Sequence, residues 1–351
     1  MPVVRFDTTI SIVGRLKAYF RLEGGLTLGQ PPKSPQELSR ELASAQQIAQ
    51  EQQHWLKQQD REISRLKKQL GNADHPVDDE DLRRPRKSQS STDLPFREGS
   101  LPNYVIIGAQ KGGTTSLHNL LSGHPHVMRP TTKEIHFFDN HYDEGLGWYR
   151  AHFRPPVEKN GYETITGEAS PYYIASTSSP ERMARIVPDI KLIAMLRNPV
   201  DRAYSHYQAS ARHGREPLDF EQAIEAEEKR LREERERALA NDGAVLSIPQ
   251  RHSYLGRGIY VNQIKHWHRY FDPEQLLIVK SEDFFTDPLA ILRTVLEFLD
   301  LSEWEPSETR VSNKGDYGTS MSDDTRRWLQ DYFEPHNQSL YDYLGRDFGW
   351  E

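Results

Sequence analysis

The stretch Gly108-Ala109-Gln110-Lys111-Gly112-Gly113-Thr114-Thr115-Ser116 follows the apolar run Tyr104-Val105-Ile106-Ile107 and opens a helical pattern over Thr114–Leu121. Glycines set between a strand and a helix let backbone N–H groups wrap an anion, and the helix N-terminus adds its positive dipole end. A triphosphate-binding loop of the form G-x-x-x-x-G-K-[ST] has a fixed place for its lysine. Counting from Gly108, that place holds Thr114, and the lysine stands earlier, at Lys111. No acidic strand end suited to magnesium accompanies it. The loop therefore suits a nucleotide whose single 5′-phosphate carries a leaving group.

A second group of residues follows the apolar run Lys191–Leu196: Arg197-Asn198-Pro199-Val200-Asp201-Arg202-Ala203-Tyr204-Ser205-His206-Tyr207. Arg197 leaves the sheet at the carboxyl edge, where open α/β sheets bind ligands. Asn198 suits a helix cap and Pro199 the first helical position. Ser205 falls about two turns into that helix, where its hydroxyl would join the guanidinium on a second phosphate.

The elements that must position these groups alternate. Strands are expected at Tyr104–Gly108, Thr164–Gly167, Lys191–Leu196 and Leu276–Val279, with helices between them at Thr114–Leu121, Pro199–Arg212 and Pro288–Leu299. That order predicts an α/β fold, a P-loop-like parallel sheet with helices on both faces. Glu216–Leu239 reads as a solvated helix, and Asp323–Tyr343 as one packing on the sheet through Trp328, Leu329 and Phe333. Trp267, Tyr270 and Phe271 fall on an amphipathic helix as core. The pairs His124/His126 and His266/His268 have no partners at metal-site spacing.

Before residue 100 the chain has another character. Residues 1–34 form an N-terminal segment broken by Gly24, Gly25, Gly29, Pro31 and Pro32. Over 35–71, Leu38, Leu42, Ala45, Ala49, Leu56, Ile63, Leu66 and Leu70 repeat at heptad spacing, which predicts a coiled coil and a homo-oligomer through residues 38–70. Residues 72–100 read as a disordered linker, and 101–351 as the catalytic domain. The 351 residues carry 45 Lys+Arg against 52 Asp+Glu, a net charge of −7, so general nucleic-acid binding is not expected. With no cysteine, thiol catalysis and thiolate metal sites are excluded. No apolar run of membrane-spanning length and no signal-like leader is found, which predicts a cytoplasmic protein without a transmembrane segment.

Several blocks in one order resemble the PAPS-dependent sulfotransferases, above all the heparan sulfate and related bacterial branch. They are I-I-G-A-Q-K-G-G-T-T-S (Ile106 to Ser116), K-E-I-H-F-F-D (Lys133 to Asp139), L-R-N-P-V-D-R-A-Y-S-H-Y (Leu196 to Tyr207), G-R-G-I-Y (Gly256 to Tyr260), N-K-G (Asn313 to Gly315), P-H-N (Pro335 to Asn337) and L-G-R-D-F-G-W (Leu344 to Trp350). The resemblance implies that Lys111, Gly112, Gly113, Thr114, Thr115 and Ser116 hold the 5′-phosphosulfate. It implies that Arg197 and Ser205 grip the 3′-phosphate, with Tyr260 and the Asn313-Lys314-Gly315 loop closing over the nucleotide. It makes Glu134 the general base.

On that reading Lys111 neutralises charge developing on the leaving phosphate. Glu134 takes the acceptor's proton, with burial or a nearby anion expected to raise its pKa. In an extended segment His136 would share Glu134's face and be a second base candidate, while Lys133 would point away. The implied reaction moves a sulfuryl group from PAPS to a hydroxyl or amine of a carbohydrate, lipid or small metabolite, with no metal. Glu168-Ala169-Ser170-Pro171-Tyr172-Tyr173 is either a structural turn or part of the acceptor cleft. A P-loop kinase and an inactive nucleotide-binding scaffold are the alternatives.

Overall fold

The computed structural model describes residues 99–240, 252–306 and 320–350. The expected N-terminal segment and coiled coil, nearly all of the linker, and the Asn313-Lys314-Gly315 loop lie outside the described residues.

Five strands form a parallel sheet in the order β2-β5-β1-β6-β7: β1 is Tyr104–Gly108, β2 Val127–Met128, β5 Ile165–Ala169, β6 Lys191–Leu196 and β7 Leu276–Lys280. A two-stranded hairpin of β3 (Glu158–Lys159) and β4 (Tyr162–Glu163) stands apart from it. The helices are α1 (Thr114–Leu121), α2 (Leu146–Arg150), α3 (Ser179–Ile186), α4 (Pro199–Arg212), α5 (Phe220–Ala240), α6 (Tyr260–Trp267), α7 (Ser281–Thr286), α8 (Pro288–Phe298) and α9 (Asp323–Leu344).

Central strands bury both faces, so β1 and β6 read as continuous apolar runs whose side chains alternate between two cores. Val105, Ile107, Leu192, Ala194 and Leu196 face one core with Tyr149, Phe153, Tyr260 and Trp267. Tyr104, Ile106, Ile193 and Met195 face the other with Leu117, Leu121, Phe284, Leu292 and Val295. A parallel sheet covered in this way is the expected fold. All strand carboxyl ends point to one edge, and there β1 and β6 deliver their loops side by side.

Two packing expectations are corrected. Leu329 and Phe333 of α9 bury not on the sheet but in a third cluster with Val200, Ala203, Phe220 and Tyr254, while Leu340, Tyr341 and Leu344 near the helix end reach a sheet core. Trp328 stays partly buried. Tyr270 is exposed, because α6 ends at Trp267 and the chain turns, leaving Trp267 and Phe271 in the core.

Candidate active site

The loop after β1 is held by its neighbours on both sides. Ala109 N–H donates to the Met195 carbonyl at 2.8 Å, and Gly112 N–H to the Ala109 carbonyl at 2.9 Å. Ser281, at the start of α7, donates its hydroxyl to the Gly112 carbonyl at 2.8 Å. A Cβ on Gly112 would stand 2.5 Å from the Met195 carbonyl oxygen, which is backbone and cannot yield. Gly113 caps α1 at φ 97°, and no side chain caps that helix. Ser116 N–H donates to the Gly113 carbonyl at 3.0 Å, which leaves the Thr114 and Thr115 N–H groups as the first-turn donors without intrahelical acceptors. Thr114 and Ser116 are buried at the base of this N–H cradle.

Arg197 follows β6 and donates from Nη1 to the Lys111 carbonyl at 3.3 Å, linking the two loops. Tyr260 is buried, and its hydroxyl donates to the Arg197 carbonyl at 2.9 Å. Burial raises that phenol to about 12. The structure thus sets Tyr260 behind Arg197. Asn198 caps α4 by accepting from Val200 N–H at 2.9 Å, and its own N–H donates to Glu282 at 2.8 Å. Trp350, from the last motif, donates from Nε1 to the other oxygen of Glu282 at 3.2 Å. Ser205 lies buried on α4.

Cations converge here. Burial lowers the Lys111 ammonium pKa, and Arg212, Arg197, Arg202 and Lys133 push it the same way. Arg202 is buried on α4, giving Nη2 to His206 Nδ1 at 2.8 Å, and its Nε has no hydrogen-bond partner among the described residues. Arg257 is buried over the Tyr172 ring at 4.4 Å, with its pKa drawn down to about 9 chiefly by burial. Buried cations gathered around an open N–H cradle make a site for a multiply charged anion.

The carboxylate side of the site departs from the extended geometry expected for it. Glu134 and His136 both have left-handed backbones, φ 58° and 57°. Each such non-glycine residue costs roughly 1–3 kcal/mol unless the surroundings impose it. In that turn Lys133 does not point away: its Nζ donates to Glu134 Oε1 at 2.6 Å. His136 Nε2 stands 3.8 Å from Glu134 Oε2, and its Nδ1 lies 3.0 Å from Asp139 Oδ2. The expected rise in the Glu134 pKa is also corrected. The interaction with His136 draws it down to about 2, joined by Lys133 and opposed by burial. Burial disfavours the charged imidazole, but Asp139 and Glu134 outweigh it and raise His136 to about 9. At neutral pH these shifts favour an ionised Glu134 beside a protonated His136.

Arg202, Arg257 and Asp139 lie within the motif blocks, yet the sequence assigns them no role. Arg202 could have been found from spacing: it falls on the buried face of α4 with Ala203, four residues before His206. Glu168 opens the 168–173 stretch that the sequence leaves open between a structural turn and the acceptor cleft. It is fully buried at the end of β5, between the sheet and the 134–138 segment.

With this geometry in view, the comparisons identify the family. The sulfotransferase domain family matches residues 101–314. A crystal structure of a sulfotransferase from Alicyclobacillus acidocaldarius is 30% identical and covers 71% of this chain and 98% of its own, with a TM-score of 0.57. The chain belongs to the sulfotransferase family. It is 31% identical to the heparan sulfate glucosamine 3-O-sulfotransferase 3A1 of Mus musculus, across 72% of this chain and 66% of that protein. It is 27% identical to the membrane-associated sulfotransferase kil1 of Dictyostelium discoideum, across 78% of this chain and 72% of that one.

The last relative overturns the cytoplasmic placement. That relative is named membrane-associated, and proteins meet membranes through surface contacts as well as through spanning segments. Among the described residues, no helix is long and apolar enough to cross a membrane.

Proposed function

We propose that the chain transfers a sulfuryl group from PAPS to a hydroxyl or amine of a carbohydrate acceptor. The observation that carries this reading is the pairing of an uncapped, cation-ringed N–H cradle with a carboxylate one segment away. A carbohydrate acceptor is favoured over a lipid or small metabolite because a relative with 31% identity is named for heparan sulfate.

The donor supplies an activated sulfuryl group on a phosphate leaving group. Residues 111–116 would hold the 5′ end. Arg197 and Ser205 would hold the 3′-phosphate, and Tyr260 would fix Arg197 through its carbonyl. Lys111 and the α1 N–H groups then meet charge as it develops on the leaving phosphate, which is binding that strengthens in the transition state.

Glu134 is ionised and ready to accept a hydrogen bond from the acceptor. Its low proton affinity comes from His136 and Lys133. Lys133 is also among the cations acting on Lys111, so an anion bound there competes for its ammonium. As Lys133 is drawn away, Glu134 becomes the stronger base. His136, protonated by its two carboxylates, orients Glu134 and is not the base at neutral pH.

Incubation with radiolabelled PAPS and heparan sulfate, followed by recovery of the polysaccharide, tests this directly. Label on the polysaccharide is expected. Absence of label there and on other glycan acceptors, with the protein folded, would contradict the carbohydrate reading.

A further inference from the structure

Two consecutive-but-one residues with left-handed backbones stay in place only if something outside the turn specifies them. The contacts that could do so converge on Glu168. Its carboxylate accepts from Ser170 Oγ at 2.6 Å, Tyr149 Oη at 2.7 Å and Tyr173 Oη at 3.2 Å. Two of these hydroxyls face the other way as acceptors. His136 N–H donates to Ser170 Oγ at 3.2 Å, and Phe138 N–H to Tyr173 Oη at 3.3 Å.

The two backbone N–H groups can only donate, so Ser170 and Tyr173 accept from them and turn their own protons to the Glu168 carboxyl. Burial raises the Glu168 pKa, and the three hydroxyl donors oppose that rise. A buried carboxylate without a cationic partner among these contacts is costly in a structure. It is explained if the orientation of the hydroxyls is what the site needs.

We propose that Glu168 is a positioning residue: through Ser170 and Tyr173 it holds the 134–138 segment in the left-handed turn that brings Glu134, His136 and Asp139 together. This rests on the proposed function for the roles of those three residues, while the backbone geometry it explains does not. Glu168 touches neither donor nor acceptor on this account. It acts one hydroxyl away from the turn.

Amide hydrogen exchange on the full chain, read residue by residue, tests the proposal without depending on the acceptor. Glu168→Gln keeps the volume but adds an N–H donor that lets the hydroxyls reverse. Exchange at the His136 and Phe138 amides is expected to quicken about five- to tenfold, the effect of losing one hydrogen bond each. Affinity for adenosine 3′,5′-bisphosphate should stay within about twofold, since no phosphate-binding group is touched. Ser170→Ala should release His136 alone, and Tyr173→Phe should release Phe138 alone. These two variants decide the matter if Glu168→Gln does not fold.

Unchanged exchange at both amides would overturn the proposal, as would a uniform rise across the whole sheet. Where the wild type labels heparan sulfate from PAPS, Glu168→Gln should lower kcat with little change in donor KM. If the wild type labels nothing, the carbohydrate reading fails while the exchange pattern still decides the role of Glu168.

Discussion

His136 is held in the charged state by Asp139 and Glu134, and Glu134 by His136, and this makes the site's chemistry depend on pH in a definite direction. His136 is raised from 6.5 to about 9. Its folded form favours the proton, so its contribution to stability is full below about pH 6.5 and is lost as pH rises through 9. Glu134 is lowered from 4.5 to about 2, so its contribution is full above about 4.5 and is lost as pH falls toward 2. Urea unfolding of wild type and His136→Asn between pH 6 and 10 checks the first of these. The stability gap between them should narrow as pH rises. A constant gap would mean that His136 is not charged in the fold. For activity, Glu134→Gln should cut turnover by roughly 10²–10⁴-fold, the usual contribution of a general base, with bisphosphate affinity retained. Retained turnover would remove Glu134 from the base role.

At the scale of elements, the loops at the carboxyl edge work because the strands beneath them are rigid. Gly112 shows how little room they have: any Cβ there meets the Met195 and Ala109 carbonyl oxygens at 2.5 and 3.0 Å. Gly112→Ala should lower stability by roughly 1–3 kcal/mol, the usual cost of forcing extra volume into a packed site. It should also weaken bisphosphate binding, because the cradle must move. Unfolding midpoints and a binding isotherm on the same preparation would show both. Four of the five sheet strands were legible because burial on both faces demands unbroken apolar runs, and β6 occupies the six residues expected of it, whereas the two-residue edge strand β2 was not. The 134–138 segment was not legible in its geometry. Lys133 points away from Glu134 only if the segment is extended; instead the segment turns left-handed, with Ser170 and Tyr173, far along the chain, accepting from its amides. The residue types of the site were readable from sequence, but the charge states were not, since those follow from which side chains meet.

Over the whole molecule, an acidic chain of net charge −7 sets Arg197, Arg202, Arg212 and Lys133 close enough to Lys111 to act on it. Local field rather than net charge governs an anion arriving there, and exposed parts of that field are screened by salt over about 10 Å at 0.1 M. On the proposed function the carboxyl edge of the sheet binds a nucleotide bearing phosphates at both 3′ and 5′ positions. The most direct measurement is calorimetric titration of wild type and Arg197→Ala with adenosine 3′,5′-bisphosphate, beside ATP with magnesium. The wild type should bind the bisphosphate in preference to ATP, and Arg197→Ala should lose about 10- to 100-fold in affinity, as expected for a charge-assisted contact. Preference for ATP, or bisphosphate binding that Arg197→Ala leaves untouched, would contradict it.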